Sequence, residues 1–262
     1  MRNHLLVIGV DGLGYDSLKM HLGQHMPFTY WLSTARICCR IPLKIAISPR
    51  NWTLIFSGRD LKWYTLYIRR VHDDRWRLIR RWELPVVFIW DEFPNVVVIN
   101  APVVIPPVCK NTGFKPIAYG LSYTFFEWFK EINDIRYYAL RALRNNSDVI
   151  AVFTVIDRML HITANEKIIR RVCIELDEVI RQLVTTAEKK KYKWIIISDH
   201  GMRRISSDIQ GEIAPRHDMP YIRTVTKAVH EHSNDALYIS NTGIHVKNLH
   251  DVYRIMRRVL SA

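Results

Sequence analysis

The sequence has few cysteines and lacks the long apolar runs of a membrane protein. Four cysteines, Cys38, Cys39, Cys109 and Cys173, include no C-x-x-C pair and no spacing typical of a disulfide framework. The longest apolar runs have the length of a strand and are interrupted by charge, so none is long enough to span a bilayer. MRNHLLVIGVDG enters a predicted strand at once, without the pattern of a cleaved secretory leader. We therefore expect a reduced, cytoplasmic protein.

The composition is that of an ordinary globular protein. Hydrophobic residues make up 48% and charged residues 24% of 262 residues, which excludes a disordered, collagenous or disulfide-scaffold protein. This length is compatible with a single domain over residues 1–262. The net charge of +13 favours anionic substrates, nucleic acid or acidic membrane surfaces, without choosing among them. The same charges can also simply keep a solvated surface soluble.

Strands alternating with helices predict an α/β protein, a three-layer α/β/α sandwich with a mainly parallel sheet. Helices are expected at about 15–22, 26–34, 125–145, 164–189 and 249–260. Strand-like runs include PVVFIW, NVVVINAP, ALYIS and IHVKN. Residues of about 60–125 are the hardest to interpret, and we expect them to form an excursion on the substrate side of the domain.

Acidic and histidine residues follow three short apolar runs. LLVIGVDG leads to Asp11, VIAVFTVID ends in Asp157, and WIIISDHG contains Asp199 and His200. In an open parallel sheet, residues just past the carboxyl ends of the strands converge on one edge, where such folds bind their ligands. Carboxylates at this edge are candidate metal ligands.

A hydroxyl is predicted at the same edge. The apolar run CCRIPLKIAI leads to Ser48, and the helix predicted over PRNWTLIFSG starts just beyond it, with Gly58 as its terminator. The start of a helix offers free N–H groups and a positive dipole end, which suit a phosphate. The plain alternative is that Ser48 only caps the helix.

Two acid–histidine pairs have spacings that suit metal binding. Asp157 and His161 are four residues apart, which places both on one helix face; a solvated or capping role is the alternative. Asp199 and His200 leave a predicted strand side by side, before Gly201, which permits a sharp turn. Their alternative is a helix cap at Asp199 and an exposed His200.

The order of these motifs resembles a known family. VIGVDGLG, ISPRNWTLIFSG, NAPVVIPP, DRMLH and SDHGM follow one another as in the alkaline phosphatase superfamily, on its type I phosphodiesterase and nucleotide pyrophosphatase branch. The order of five motifs across most of the chain discriminates far better than any one of them. The resemblance implies an alkaline phosphatase-like fold and two divalent metal ions.

The same resemblance implies a ligand set for each ion. One ion is expected at Asp11, Ser48, Asp199 and His200. The other is expected at Asp157, His161 and one later histidine, for which His217 in APRHDMPY is preferred, His245 comes next, and His230 and His232 stay open. Mixed histidine and carboxylate ligands suit Zn²⁺ best, with Mn²⁺ as the alternative.

The resemblance also assigns the chemistry. Ser48, ten residues before Gly58, takes the place of the family's nucleophile, Asn51 that of a donor to a phosphoryl oxygen, and Arg50 is a further candidate anion contact. The expected function is hydrolysis of phosphodiester or pyrophosphate bonds in a small phosphorylated substrate such as a nucleotide.

Other functions stay open. The segment SPRNW has no arginine at the position that the sulfatase pattern C/S-x-P-x-R requires, which argues against a sulfatase. A phosphomonoesterase or a phosphomutase of the same superfamily is an alternative. A non-catalytic binder of nucleic acid or another acidic partner is a second alternative, although no motif supports nucleic acid.

Overall fold

The structure is a computed structural model that describes residues 4–64, 67–69, 76–79, 81–103, 124–205 and 230–262. Its strands are β1 Leu5–Val10, β2 Ile37–Pro42, β3 Tyr67–Arg69, β4 Trp76–Leu78, β5 Val97–Ile99, β6 Val149–Phe153, β7 Lys193–Ile197, β8 Gly201–Arg204, β9 His230–Ser233 and β10 Asp235–Ser240. Its α-helices are α1 Tyr15–Met20, α2 Pro27–Ala35, α3 Ser48–Ser57, α4 Ile89–Glu92, α5 Phe125–Arg144, α6 Val155–Ile162, α7 Glu166–Lys189 and α8 Leu249–Leu260. Two 3₁₀ helices span Leu22–Gln24 and Arg81–Glu83.

A six-stranded sheet lies at the centre, in the order β2-β10-β7-β1-β6-β5. The pairs β7–β1, β1–β6 and β6–β5 are parallel. Strand β10 is antiparallel to both β7 and β2, so β2 runs in the same direction as the parallel strands. Their carboxyl ends therefore lie at one edge of the sheet, which is where ligand sites form in such folds.

Both faces of the sheet are covered, which explains why its strands read as continuous apolar runs. Alternate residues of β1 belong to two different cores: Leu6 and Ile8 face one core, while Leu5 and Val7 face the other. The first core is covered by α1, α2, α5, α6 and α7, and the second by α3, α4 and α8. The predicted three-layer α/β/α sandwich is confirmed.

Some local predictions were wrong. PVVFIW was expected to be a strand, but its last residues start the short helix α4, and IHVKN is not a strand either. Both segments are too short for periodicity to separate a strand from irregular packing. Of the excursion expected at about 60–125, residues 104–123 lie outside the described part, and so do several residues between 65 and 80.

Within the described residues, no helix combines the length and the apolar character that a membrane crossing requires.

Helix α2 receives its cap from a distant helix. Its own N-cap residue, Met26, offers no side-chain cap. Instead, Asp177 of α7 accepts hydrogen bonds from the backbone N–H of Phe28 (2.9 Å) and from the backbone N–H (2.9 Å) and hydroxyl (2.6 Å) of Thr29. Burial raises the pKa of Asp177, although these hydrogen bonds oppose the shift. The carboxylate thus satisfies free N–H groups at the start of α2 and fixes it to α7.

We expect Asp177→Ala to lower the free energy of unfolding by about 1–3 kcal/mol, because buried N–H and hydroxyl donors lose their acceptor. Urea unfolding followed by circular dichroism measures this change. Glu178→Ala, which removes a partly exposed side chain bound to Arg181 and Gln182, is the control and should cost less than about 1 kcal/mol. Equal losses in the two variants would contradict the capping role.

Candidate functional site

Asp11 follows β1 at the carboxyl edge of the sheet. Its backbone N–H donates to Phe153 O at 2.8 Å, and the indole N–H of Trp52 donates to its Oδ2 at 3.2 Å. Gly9 makes room for this indole, because a Cβ at position 9 would come within 2.8 Å of the Trp52 ring. The carboxylate is therefore held in one orientation, and its Oδ1 is directed to the other site residues.

Gly12 lets the end of β1 approach the start of α6. It has a φ of +79°, and a Cβ there would lie 2.9 Å from Asp157 Cα. The Asp157 N–H donates to Asp11 O at 3.2 Å. A side chain at position 12 would be strained as well as crowded, so this glycine is what brings Asp11 and Asp157 together.

Asp157 lies within 3.2 Å of two imidazoles. Its Oδ1 is 3.2 Å from His161 Nε2 and 3.2 Å from His232 Nε2, and these two nitrogens are 3.0 Å apart. Asp157 and His161 share one face of α6, as the spacing predicts, whereas His232 comes from β9. Burial acts to raise the pKa of Asp157, but the charges and hydrogen bonds of His161 and His232 hold it well below its ordinary value.

His200 joins this cluster to the hydroxyl. Its Nε2 lies 2.8 Å from Ser48 Oγ, 3.2 Å from Asp11 Oδ1 and 3.8 Å from Asp157 Oδ1. Its ring stacks on that of His232, with 3.8 Å between the centroids. Burial acts to lower the pKa of His200, but Asp11 and Asp157 raise it above its ordinary value.

Backbone carbonyls orient the imidazoles. His200 Nδ1 lies 3.0 Å from Gly201 O, and His232 Nδ1 lies 2.9 Å from Ala46 O. A carbonyl oxygen accepts only, so each Nδ1 donates a proton to its carbonyl, and Nε2 is the nitrogen that each ring directs into the cluster. An imidazole fixed in this way is typical of a metal ligand.

Asp199 is the residue that most requires a cation. Its side chain has no exposed surface, and its nearest cationic group among the described residues is His200, whose Nε2 lies 3.4 Å from Oδ2; neither carboxylate oxygen accepts a hydrogen bond of good geometry. Burial, together with the charges of Asp11 and Asp157, raises the pKa of Asp199 well above its ordinary value. A buried carboxylate without a partner is costly, and a divalent cation is the partner that this cluster can accommodate.

Two groups of ligand atoms are compact enough to hold an ion. The atoms of Asp157, His161 and His232 lie within 4.8 Å of one another, and so do those of Asp11, Asp157 and His200. Nitrogen and carboxylate oxygen donors in such numbers fit a divalent transition metal. The residues present therefore fit a metal centre. The second group contains Asp157 where the expected set has Asp199 and Ser48.

Ser48 is the first residue of α3, as predicted, and Gly58 ends that helix with a φ of +67°. Strand β2 stops at Pro42, earlier than expected, so a loop delivers Ser48 to the sheet edge. Its Oγ lies 2.8 Å from His200 Nε2 and 3.5 Å from Asp11 Oδ1. Ser48 does not cap the helix, whose N-cap residue is Ile47; its hydroxyl points into the cluster instead.

Asn51 and Arg50 are already engaged by the protein. Asn51 Nδ2 donates to Ile45 O at 3.1 Å and to Asp199 O at 3.0 Å, which uses both amide hydrogens. Arg50 forms a two-point ion pair with Asp60, at 2.6 and 2.8 Å. In this arrangement Asn51 positions the backbone of Asp199, and the phosphoryl contacts predicted for both residues stay predictions.

Three of the four candidate histidines for the last ligand position lie within the described residues. His217 lies outside the described residues. His245 lies beside β2, with Nδ1 3.7 Å from Cys39 Sγ, and His230 binds Leu160 O at 2.9 Å through Nδ1. His232 stands in the cluster. Its place in HEHS, one residue before the end of β9 and on the same strand face as His230, was the available signal.

Glu131 and Trp52 were missed from the sequence. Glu131, buried on α5, accepts from Thr154 N (2.5 Å) and Oγ1 (3.0 Å) through Oε1, and from Arg158 Nη1 (2.8 Å) through Oε2. Thr154 and Arg158 flank Asp157 in the chain. Glu131 therefore holds the chain on both sides of Asp157 in place from a neighbouring helix. In the sequence, the available signal was an acidic residue on the apolar face of a predicted amphipathic helix.

Comparison with known proteins agrees with this geometry. The family described as type I phosphodiesterase / nucleotide pyrophosphatase matches residues 94–262, more than half of the chain. The chain belongs to this family. The resemblance stated from the motifs is confirmed, and at the level of the family the chain is a hydrolase of phosphoric ester bonds. No protein of curated function matches the sequence.

Solved structures of this type I phosphodiesterase fold are similar over nearly the whole chain. Murine ectonucleotide pyrophosphatase / phosphodiesterase 5, an inactive variant in complex with AMP, has a TM-score of 0.62 at 12% identity, covering 99% of this chain and 95% of that one. Phosphonoacetate hydrolase from Sinorhizobium meliloti, in complex with phosphonoformate, has a TM-score of 0.68 at 10% identity, covering 100% and 96%. At these identities the likeness establishes the fold.

We expect Asp199→Asn to raise the stability of the metal-free protein by about 1 kcal/mol or more at pH 7. Folding raises the pKa of Asp199, so the charged carboxylate lowers the free energy of unfolding, and this loss is greatest above the folded pKa. Asparagine carries no charge and removes the loss. The same change should abolish most of the increase in melting temperature that Zn²⁺ produces. Calorimetry with and without Zn²⁺ measures both effects.

Asp235→Asn is the matched control, because Asp235 is also buried but accepts hydrogen bonds from Asp16 N (2.9 Å) and Ser233 Oγ (2.6 Å). It should destabilise the metal-free protein. Destabilisation of similar size in both variants would show that Asp199 is not an unpaired charge.

We expect Glu131→Gln to weaken Zn²⁺ binding about 10-fold to 100-fold, because Asp157 loses its support. Stability should fall by about 3–5 kcal/mol, since Arg158 is left buried without its partner. Competition with a chelating dye at a temperature where both proteins are folded measures the affinity. Asp134→Asn, at an exposed ion pair on the same helix, should change neither quantity appreciably; an unchanged affinity in Glu131→Gln would contradict the support of Asp157.

Proposed function

We propose that the protein is a metal-dependent phosphoesterase that uses Ser48 as nucleophile to cleave phosphodiester or pyrophosphate bonds of a small phosphorylated substrate. One observation supports this proposal above the others. A serine hydroxyl at the start of a helix lies beside two compact groups of carboxylates and imidazoles, with distances of 2.8–3.8 Å from His200 Nε2 to its neighbours. Membership of the type I phosphodiesterase / nucleotide pyrophosphatase family gives the chemistry that such a group performs.

Two ions would be held by separate sets of residues. One set is Asp11, Ser48, Asp199 and His200, and the other is Asp157, His161 and His232. We propose Zn²⁺ for both, with Mn²⁺ as the alternative, because each set contains both imidazole nitrogens and carboxylate oxygens. When bound, such ions lower the pKa of a hydroxyl or water and offset the charge of a phosphoryl group. His232 replaces His217 as the proposed third ligand of the second set.

The residues of the chain would supply the nucleophile, attract the phosphate and position the backbone of Asp199. Ser48 Oγ would lose its proton and attack phosphorus, and the bond from phosphorus to the leaving oxygen would break as that oxygen takes up a proton. Water would then hydrolyse the serine phosphodiester, which is a nucleotidyl-serine when the substrate is a nucleotide, and regenerate Ser48. The start of α3 directs its positive dipole end toward the entering phosphate. Asn51 keeps the Asp199 backbone in place by its 3.0 Å hydrogen bond to the carbonyl.

The similar structures support a small phosphorylated ligand. One of them holds AMP and another holds phosphonoformate, so both bind a phosphorus oxyanion on the same fold. A nucleotide substrate is therefore our first proposal, and a monoester or a phosphonate is the comparison substrate. A cytoplasmic location stays a prediction; Cys38, Cys39 and Cys173, the described cysteines, are free thiols.

We expect Ser48→Ala to lower the hydrolysis of bis-p-nitrophenyl phosphate by at least about 10³-fold, because the nucleophile is removed. Removal of metal with a chelator should abolish the activity of the unchanged protein, and Zn²⁺ or Mn²⁺ should restore it. Absorbance of released nitrophenolate follows both. A panel of nucleotide diesters, monoesters and phosphonoacetate then ranks the substrates.

Ser57→Ala is the control, because it removes a hydroxyl from the other end of α3, where Oγ donates to Thr53 O at 2.7 Å. Its activity should stay within a few-fold of the unchanged protein. Retained activity in Ser48→Ala would refute the nucleophile, and activity that survives metal removal would refute the metal-dependent reaction. Binding of a phosphorylated ligand without turnover by the metal-loaded protein would favour the non-catalytic alternative.

A further inference from the structure

A shallow basic groove lies between α5 and α7, apart from the metal cluster. It has a volume of about 400 Å³ and is lined by Phe129, Lys167, Arg170, Arg171, Ile174 and Glu175. Three of these six side chains are cationic and one is acidic. We call this feature the α5–α7 groove.

The three cations of the groove are available to a ligand. Lys167, Arg170 and Arg171 are exposed, and none of them forms an ion pair among the described residues. In contrast, Arg40, Arg50, Arg158 and Arg181 are all paired with carboxylates. Three free cations within two turns of one helix, around a concave surface, fit a ligand with several negative charges.

Aromatic rings form part of the same surface. The Arg171 guanidinium lies 5.3 Å from the ring centroid of Phe125 and 5.6 Å from that of Phe129, so the two rings hold the cation in place. Phe129 itself lines the groove. Free cations beside an aromatic ring are the combination that binds a single nucleic acid strand, through its phosphates and its bases.

The groove lies near the same edge of the sheet as the catalytic cluster. Helix α5 leads into the amino end of β6, and α7 leads into the amino end of β7, so the first turns of both helices are at the carboxyl edge. Lys167 follows His161 by six residues, which limits the distance between their Cα atoms to about 20 Å. A strand of several nucleotides can therefore contact both places.

We propose that the α5–α7 groove binds the phosphates of a single-stranded nucleic acid whose cleaved bond lies at Ser48. This inference rests on the proposed function and specifies its substrate class. Nucleic acid fits better than an acidic peptide, because one molecule then supplies the phosphodiester for Ser48 and the negative charges for the groove. The net charge of +13 would assist its approach from a distance.

The test compares two triple variants that lose the same charge. Lys167→Ala/Arg170→Ala/Arg171→Ala removes the cations of the groove. Lys247→Ala/Arg254→Ala/Arg258→Ala removes three exposed cations in and beside α8, which covers the other face of the sheet. Binding of a fluorescein-labelled single-stranded deoxyoligonucleotide of about 12 nucleotides is measured by anisotropy, over a range of salt concentrations, on folded metal-loaded protein.

We expect the groove variant to lose at least about 10-fold in affinity, and the slope of log K against log salt to become shallower by about 2, because three phosphate contacts are removed. The control should change affinity by less than about 3-fold. The groove variant should also raise KM for an oligonucleotide substrate, while kcat/KM for bis-p-nitrophenyl phosphate stays unchanged.

Equal losses in the two variants would overturn the inference, because only net charge would then matter. Competition by poly-glutamate as strong as that by an unlabelled oligonucleotide would also overturn it, in favour of an acidic peptide. The binding measurement does not depend on turnover. Failure of the proposed function would appear as absent hydrolysis with the binding difference intact, whereas failure of this inference would appear as hydrolysis with no binding difference.

Discussion

The candidate site depends on one constraint, the electrostatic repulsion among three carboxylates that lie close together. Asp11, Asp157 and Asp199 meet at the end of a parallel sheet, and Asp199 has no solvent at its oxygens and, among the described residues, only His200 Nε2, at 3.4 Å, as a nearby cationic group. Protein folds rarely tolerate such a group unless a cation or a proton is available to it. The surrounding imidazoles, with their Nε2 atoms directed inward, make a metal ion the fitting partner. The backbone geometry at this edge, the fit to a metal ion and the position of the Ser48 hydroxyl thus depend on the same cluster of charged groups.

Small residues allow the backbone to bring these groups together. A Cβ at Gly12 would lie 2.9 Å from the Asp157 backbone, and one at Gly14 would lie 2.5 Å from Gly201 Cα. The first contact joins the end of β1 to α6, and the second joins the start of α1 to the first residue of β8. The two halves of the cluster also share a hydrogen bond, since His232 of β9 binds Ala46 O in the loop before Ser48 at 2.9 Å.

Much of the fold was predictable because each local signal matched the final packing. Strands β1, β6 and β7 are apolar throughout and buried on both faces, and α7 has a sustained helical period with Asn165 at its N-cap. The four-residue spacing of Asp157 and His161 also held, because the pair lies within one helix. PVVFIW and IHVKN failed because a short apolar run has the same appearance whether it packs as a strand or as irregular chain.

The sequence by itself determined the layers, the edge of the sheet where the candidate site forms and six residues that the structure brings together there: Asp11, Ser48, Asp157, His161, Asp199 and His200. Each of them was recognised from a pattern that spans only a few residues. Only the tertiary structure placed His232 in the cluster, turned Asn51 toward the Asp199 backbone, paired Arg50 with Asp60 and placed Glu131 behind Asp157. Each of those contacts joins elements whose distance in space is set by how the sheet is ordered and how the helices pack on it, and no local pattern encodes that distance.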